Sequence, residues 1–333
     1  MNPNAEAPIL QVAGLSKHFA PRRGFLSFMG HRSSPLLHAL RQVSFDVQRG
    51  ETLGIVGESG CGKSTLARCL VRLHEPSDGM IRFNGRDALS LSGEERRAYH
   101  RRVQMAFQDP YGSLNPRMTV GQTFAEAIRF HNLRPRQQTQ ARVAELLDLV
   151  GLPQNAAQRY PREFSGGQRQ RIGIARALAV EPDVLIADEI VSALDVSVQA
   201  QIINLLLELQ DRLGLTILFI AHDLRVVRHL SHRVAVMYLG SIVELGETER
   251  LFKAPAHPYT AALLAAAPEI DTARRELREA VKGELPSPFD LPSGCSFRTR
   301  CRYATELCAR ERPLLQPDPA GKLVACHHPL AVG

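Results

Sequence analysis

The chain has 333 residues, enough for one large domain or two modest ones. Apolar residues make up 44% and charged residues 23%, which excludes a disordered chain and leaves ample material for a buried core. The 41 Lys and Arg against 34 Asp and Glu give a net charge of +7, a mild bias that suits an anionic ligand, a nucleic acid or an acidic membrane face without choosing among them. A membrane-spanning helix needs about 20 consecutive apolar residues, and the longest apolar runs, at 215–221 and 261–268, fall far short. Residues 1–8 are polar and lack the basic-then-apolar layout of a signal peptide. A cytosolic chain with at most a peripheral membrane role is therefore expected. Trp is absent and aromatics are 6%, which argues against a base-stacking platform and a nucleic-acid partner.

Residues 9–19 and 41–56 read as short strands, separated by an Arg-, Gly-, Ser- and Pro-containing loop at 20–36. The apolar run at 51–57 reads as a short strand that ends in glycine, and after Gly62 the pattern turns helical through Leu73. Residues 80–83 and 103–107 are again strand-like, while 121–150 and 167–180 show helical spacing of apolar positions. The runs 184–187 and 215–221 are continuously apolar and β-branched, as fully buried central strands are. Strands alternating with helices predict an α/β core with a largely parallel sheet. From about 255 proline rises, and the tail 283–333 holds four of the six cysteines, so a small irregular module is expected there. There is no internal repeat.

Gly57, Glu58, Ser59, Gly60, Cys61, Gly62, Lys63 and Ser64 fit the pattern G-x-x-x-x-G-K-[ST] in full, between a predicted strand and a predicted helix. The three glycines let the backbone turn tightly, so that successive N–H groups can point at a phosphate. The helix that follows adds its positive N-terminal end. Lys63 is suited to bridge the β- and γ-phosphates and Ser64 to offer a hydroxyl to Mg²⁺. Cys61 occupies a free position and reads as a small packing residue. Asp188 closes a buried strand, where it can reach Mg²⁺ through water, and Glu189 follows it. A carboxylate there can orient the attacking water or accept its proton.

Ser165, Gly166, Gly167 and Gln168 open a predicted helix. With the cradle and the Asp-Glu pair, in this order, they resemble the ATP-binding subunit of an ABC transporter. Gln108 falls where that family has its Q-loop glutamine, Ser192 to Asp195 resemble its D-loop, His222 its switch histidine and Phe19 the aromatic that stacks on adenine. The strings at 108–116, 164–171, 192–197 and 257–260, and the cysteine-bearing end, are similar to the oligopeptide/dipeptide importer branch, nearest to the F-type ATPase subunit of dipeptide permeases. The resemblance covers about 9–328. It departs at Ile190, where the family has proline.

The resemblance implies a P-loop NTPase core of the ABC type over 1–254, with a helical subdomain at about 109–180, and a C-terminal module over 255–333. It implies ATP and Mg²⁺ as ligands, bound in cis by Phe19, 57–64, Thr65 and Gln108, with Ser64, Gln108 and Asp188 on the metal. Lys63, Gln108, Glu189 and His222 would be catalytic. Ser165, Gly166, Gly167, Gln168 and Asp195 would face the ATP of a second, homologous ATPase subunit in a heterodimer. Two transmembrane permease subunits and an external peptide-binding protein complete the implied assembly, at the cytoplasmic face of the cell membrane. Other cargo of the same branch (nickel, glutathione, antimicrobial peptides, opines) would leave this subunit alike. A soluble ABC ATPase acting on ribosomes or DNA usually has two ATPase units or long coiled-coil insertions, and neither is present.

Cys295, Cys301, Cys308 and Cys326 are separated by five, six and seventeen residues. No pair has the C-x₂-C spacing common in zinc sites, and the run fits no ferredoxin pattern. A four-thiolate iron–sulfur cluster, a zinc site and four free thiols stay open on the residues alone. The resemblance points to [4Fe–4S] in a structural role, with zinc as the alternative.

Overall fold

The computed structural model describes residues 7–20, 36–266, 284–319 and 321–330, the side chains of Pro110 and Tyr111 apart. Most of the expected loop at 20–36 and of the polar N-terminus lies outside these residues, as does Gly283. In chain order the strands are β1 (Leu10–Phe19), β2 (Leu37–Val47), β3 (Thr52–Val56), β4 (Asp78–Phe83), β5 (Arg86–Asp87), β6 (Val103–Ala106), β7 (Val184–Asp188), β8 (Thr216–Ala221), β9 (Arg233–Tyr238), β10 (Ser241–Glu247), β11 (Gln316–Pro317) and β12 (Leu323–Val324). The helices are α1 (Lys63–Leu70), α2 (Gly93–Arg102), α3 (Pro110–Ser113), α4 (Val120–Phe130), α5 (Thr139–Leu149), α6 (Gly166–Leu178), α7 (Val196–Leu213), α8 (Leu224–Leu230), α9 (Thr248–Lys253), α10 (Pro258–Ala266) and α11 (Glu306–Arg310). This is a mixed α/β chain, and among the described residues no helix is long and apolar enough to cross a membrane.

Two compact units divide the chain. The first comprises Met1–Leu10, Val47–Thr52 and Phe83–Ala221. Its sheet runs β6-β7-β8, all parallel, with Val103 opposite Val184 and Val184 opposite Thr216. Every residue of β7 and β8 is buried, which is why both read as unbroken apolar runs. The register ends with Asp188 opposite Ile220, so a buried carboxylate finishes an otherwise apolar strand. Helices α4, α5 and α6 form the helical part. Thr119 caps α4 in a reciprocal pair: its Oγ1 accepts from the Gln122 N–H at 3.3 Å, and Gln122 Oε1 accepts from the Thr119 N–H at 2.8 Å. The helix expected over 121–150 is two helices. Asn132 takes a left-handed φ of 52° and Pro135 follows, and neither continues an α-helix.

The second unit comprises Gln11–Asp46, Leu53–Arg82 and His222–Gly333. One sheet runs β2-β1-β4. In the other, β3 lies parallel to β9, with Leu53 opposite Arg233, and β9 pairs antiparallel with β10. Strand β12 joins the outer edge of β10, Glu244 facing Val324, and β11 pairs with β12. The strand-forming stretch 41–56 is two strands, the second of them within the apolar run 51–57. The chain turns between them at Gly50, φ 73°, and Glu51 closes the turn by accepting from the Gln48 N–H at 2.7 Å.

The C-terminal tail is fastened to this unit by a buried charge pair. Glu244 in β10 is fully buried and accepts from the N–H groups of Ala256 (2.8 Å) and His257 (2.9 Å). The Lys322 ammonium, 2% exposed, lies 3.4 Å from its Oε1 and also donates to the Ala254 carbonyl. Tyr238, Tyr259, Phe297 and His257 pack beside it, with ring centroids 4.7–5.7 Å apart.

Candidate nucleotide-binding site

In the second unit β3 runs into the glycine-rich loop and the loop into α1. A Cβ on Gly57 would lie 2.2 Å from the Met237 carbonyl oxygen, and one on Gly62 would lie 2.4 Å from that of Ala39. Gly62 also has φ 107°, so only glycine fits. The β9–β10 hairpin buttresses the loop from outside. Its two-residue turn, Leu239 and Gly240, has both residues at positive φ, and the Gly240 N–H donates to the Cys61 carbonyl at 2.9 Å. Gly62 caps α1 without a side-chain hydrogen bond, and no acidic residue stands in the first turn. The positive end of the helix dipole thus meets no carboxylate in its first turn, a setting that suits an anion. Lys63 is 3% exposed and its ammonium donates to the carbonyls of Gly57 (2.9 Å) and Glu58 (3.2 Å). Ser59 and Gly60 are exposed, and Ser64 and Thr65 are half-buried. Cys61 is buried, burial pushes its thiol up, and it packs against the loop as a small residue would.

The first unit brings Gln108, Asp188, Glu189 and Ser192 together. Gln108 Nε2 donates to Glu189 Oε2 at 3.0 Å. Glu189 follows β7 with φ 48°, a left-handed value that costs a non-glycine residue about 1 kcal/mol or more. It is held there because its N–H extends the sheet to the Ile220 carbonyl (2.9 Å) while its own carbonyl accepts from Ser192 Oγ (2.8 Å) and the Ser192 N–H (3.1 Å). Ile190, standing where proline was expected, is 2% exposed and belongs to the core. Asp195 begins α7 as an exposed residue.

Ser165 caps α6. Its Oγ accepts from the Gln168 N–H at 3.3 Å and Gln168 Oε1 accepts from the Ser165 N–H at 3.0 Å. Ser165, Gly166 and Gln168 are exposed, so this helix end faces outward from the unit. Gly167 touches α7, where a Cβ would stand 2.4 Å from Val198 Cγ1.

His222 belongs to the second unit and is exposed. Asp223 beside it caps α8 and grips Arg225. Burial alone would raise the Asp223 carboxyl, but the Arg225 bonds outweigh it and hold it below its usual range. Phe19 ends β1, half-buried, with His74 edge-on at 5.4 Å and the Lys17 ammonium 5.0 Å from its ring centre.

Cys295, Cys301, Cys308 and Cys326 line one small cavity with His257, His327 and His328. Burial pushes the thiols of Cys295 and Cys301 up, and that of Cys326 up to about 11. Among the described residues no group of three or more His, Cys, Asp or Glu side chains is arranged to hold a metal ion. The expected [4Fe–4S] cluster therefore has a donor set of fitting chemistry without ligand geometry. Two further residues hold the loop without any local signature: Arg300 reaches the Glu58 carboxylate, and Tyr259 Oη accepts from the Glu58 N–H. No local pattern links positions more than 200 residues apart.

A family model of ABC transporters matches residues 40–192, and one of the oligopeptide/dipeptide transporter C-terminal region matches 243–308. Among solved structures, the ATP-binding cassette MJ0796, dimeric in a post-hydrolysis state with ADP and phosphate, aligns with TM-score 0.62 at 26% identity, covering 72% of this chain and 98% of that one. The cassette cbiO1 of Clostridium perfringens aligns with TM-score 0.62 at 29% identity, covering 74% and 91%. Fold and loop thus define an ATPase of the ABC class. Sequence relatives narrow this. A Sinorhizobium fredii protein named as a peptide ABC transporter ATP-binding protein, y4tS, is 53% identical over 96% of this chain and 89% of its own length. The oligopeptide transport ATP-binding protein AppF of Bacillus subtilis is 49% identical over 96% and 97%. The chain belongs to the ATP-binding proteins of ABC transporters, in the branch that carries the oligopeptide/dipeptide transporter C-terminal region.

Proposed function

We propose that this chain is the ATP-hydrolysing subunit that powers import of di- or oligopeptides through an ABC transporter at the cytoplasmic face of the cell membrane. The observation that carries the reading is the glycine-shaped loop that delivers buried Lys63 to the start of α1. Lys63 would exchange its two loop carbonyls for the β- and γ-phosphates, with the N–H groups of 57–65 closing around them and Phe19 against the adenine. Ser64, Gln108 and Asp188 are oxygen donors that suit Mg²⁺. Bound there, Mg²⁺ would neutralise charge on the phosphates. Glu189 would take the proton of the attacking water or orient it, with Gln108 setting its carboxylate and His222 contacting the γ-phosphate.

A second, homologous ATPase subunit would complete the site. The exposed cap of α6, Ser165 to Gln168, presents its positive end outward, and ATP held by a facing subunit's loop would be gripped by it, with Asp195 alongside. The segment following Gln108 would touch two membrane permeases, and a peptide-binding protein would supply cargo. The division at 254, with a helical subdomain over 109–180 and a tail module over 255–333, belongs to the same reading. In that tail the four cysteines sharing a cavity would hold a [4Fe–4S] cluster, or zinc, as a structural staple. Iron, sulfide and zinc content of anaerobically purified protein checks this, and metal-free chain with four titratable thiols would sink it. For the nucleotide, Lys63→Ala is expected to abolish peptide uptake and to weaken ATP binding by about tenfold or more, as loss of a charge-assisted contact does. Unchanged affinity and uptake would overturn the reading.

A further inference from the structure

One charged contact ties the phosphate loop to the far end of the chain. Arg300 lies between Cys295 and Cys301, and its guanidinium meets Glu58 as a two-pronged fork, Nη1 to Oε2 at 2.7 Å and Nη2 to Oε1 at 3.0 Å. The side chains are 7% and 27% exposed, so water screens the pair little. The guanidinium carbon also lies 5.9 Å from the ring centre of Tyr238. Glu58 is held twice more: its N–H donates to Tyr259 Oη at 3.0 Å and its carbonyl accepts from Lys63 Nζ at 3.2 Å. A residue at a free position of the motif is thus fixed at its carboxylate, N–H and carbonyl, the first two by groups 242 and 201 residues further on.

The motif tolerates any residue at 58, but a carboxylate there sets a full negative charge beside a loop shaped for polyphosphate. Unpaired, it would oppose the triphosphate, and it would free the first turn of the loop to move. A bidentate arginine removes both effects, since it cancels the charge and its planar fork fixes the direction of the carboxylate. We propose that Arg300 is a positioning residue for the nucleotide: it neutralises Glu58 and, with Tyr259, holds the phosphate loop in its binding shape. ATP affinity then depends on the C-terminal module. The inference rests on the loop binding ATP and adds to that reading the residue that tunes it.

The test is Mg-ATP affinity of the full chain, by equilibrium dialysis. Arg300→Gln is expected to raise Kd about tenfold, the size of one unscreened like charge, with the gap narrowing as salt is raised. Adding Glu58→Gln in the same chain is expected to recover most of the loss, because the repelling charge is gone; a purely structural role for Arg300 would not be rescued by removing its partner. Arg300→Lys is expected to recover the charge effect but not the fixed geometry, giving an intermediate Kd. Wild-type affinity in Arg300→Gln, or a double variant that melts normally and binds as weakly as the single one, would overturn the proposal. Should Arg300→Gln fail to fold, Arg300→Lys alone decides: a Kd raised about two- to fivefold in a chain that melts normally supports the proposal, since the charge is kept and the fork is lost, and wild-type affinity overturns it. A wild-type chain that binds no ATP would instead strike the nucleotide reading itself.

Discussion

Gly167 offers a sharp test of how the outward-facing helix end is built. It sits in the first turn of α6, and a Cβ there would stand 2.4 Å from Val198 Cγ1 in the first turn of α7. Carbon atoms prefer about 3.5–4.0 Å, so more than an ångström must be found. Val198 cannot swing away cheaply, because β-branching leaves it one favoured χ1 rotamer in a helix. Replacing glycine by alanine in a helix ordinarily gains about 0.5–1 kcal/mol, whereas forcing an extra carbon into a packed contact costs about 1–3 kcal/mol. At the centre of these ranges the clash is the larger effect, and Gly167→Ala is expected to destabilise by about 1 kcal/mol, within limits of about 0–2.5 kcal/mol on these two figures. In a Val198→Ala background the obstructing methyl is absent, so the same substitution is expected to become neutral or stabilising. Urea unfolding of the four proteins reads the sign directly. An equal cost of Gly167→Ala in both backgrounds would refute the packing argument and leave the glycine to be explained by what approaches it from outside.

Three further outcomes are expected. If Glu189 takes the proton as proposed, Glu189→Gln keeps a side chain that Gln108 can reach but removes that acceptor, so phosphate release should fall about 10²-fold or more while ATP still binds; a radiolabel release assay beside a binding assay separates the two. Lys322→Ala strips the cation from fully buried Glu244 and should cost about 3–5 kcal/mol, with most recovered by adding Glu244→Gln; denaturant midpoints measure both. Burial lowers the His257 imidazole to about 3, below its unfolded value of about 6.5. Because the folded value is the lower one, its share of stability is whole above pH 6.5 and is lost as pH falls towards 3, at up to about 1.4 kcal/mol per pH unit. Between pH 7.5 and pH 5, wild type should therefore lose about 2 kcal/mol more than His257→Gln; equal losses would reject this origin.

The parts legible in the sequence are those whose causes are local. The glycine loop, the buried strands β7 and β8, and Ser165 as a helix cap each follow from a few neighbouring residues. The break around Asn132 and Pro135 is also a local signal, but helical spacing of apolar residues on either side masks it. The long helix α7 has a local cause too, since Ile202, Leu205, Leu206 and Leu209 recur at helical spacing. Strands β9 and β10 carry a weaker signal: their turn places Leu239 at positive φ, a position where Asn or Asp would announce a hairpin. The left-handed backbone of Glu189 and the grip of Arg300 on Glu58 could not be read at all, since both are imposed by partners distant in the chain.

The last strands have a consequence for how the protein can be cut. Because β12 lines the outer side of β10, shortening the chain to its motif-bearing portion would bare a row of backbone donors and acceptors beside Ile242, Val243 and Leu245, all buried in the intact fold. Such a border invites stacking with the same border of another molecule. The terminal residues thus serve as the selvedge of the sheet, and a minimal catalytic fragment of this chain will need a replacement hem before it stays monodisperse.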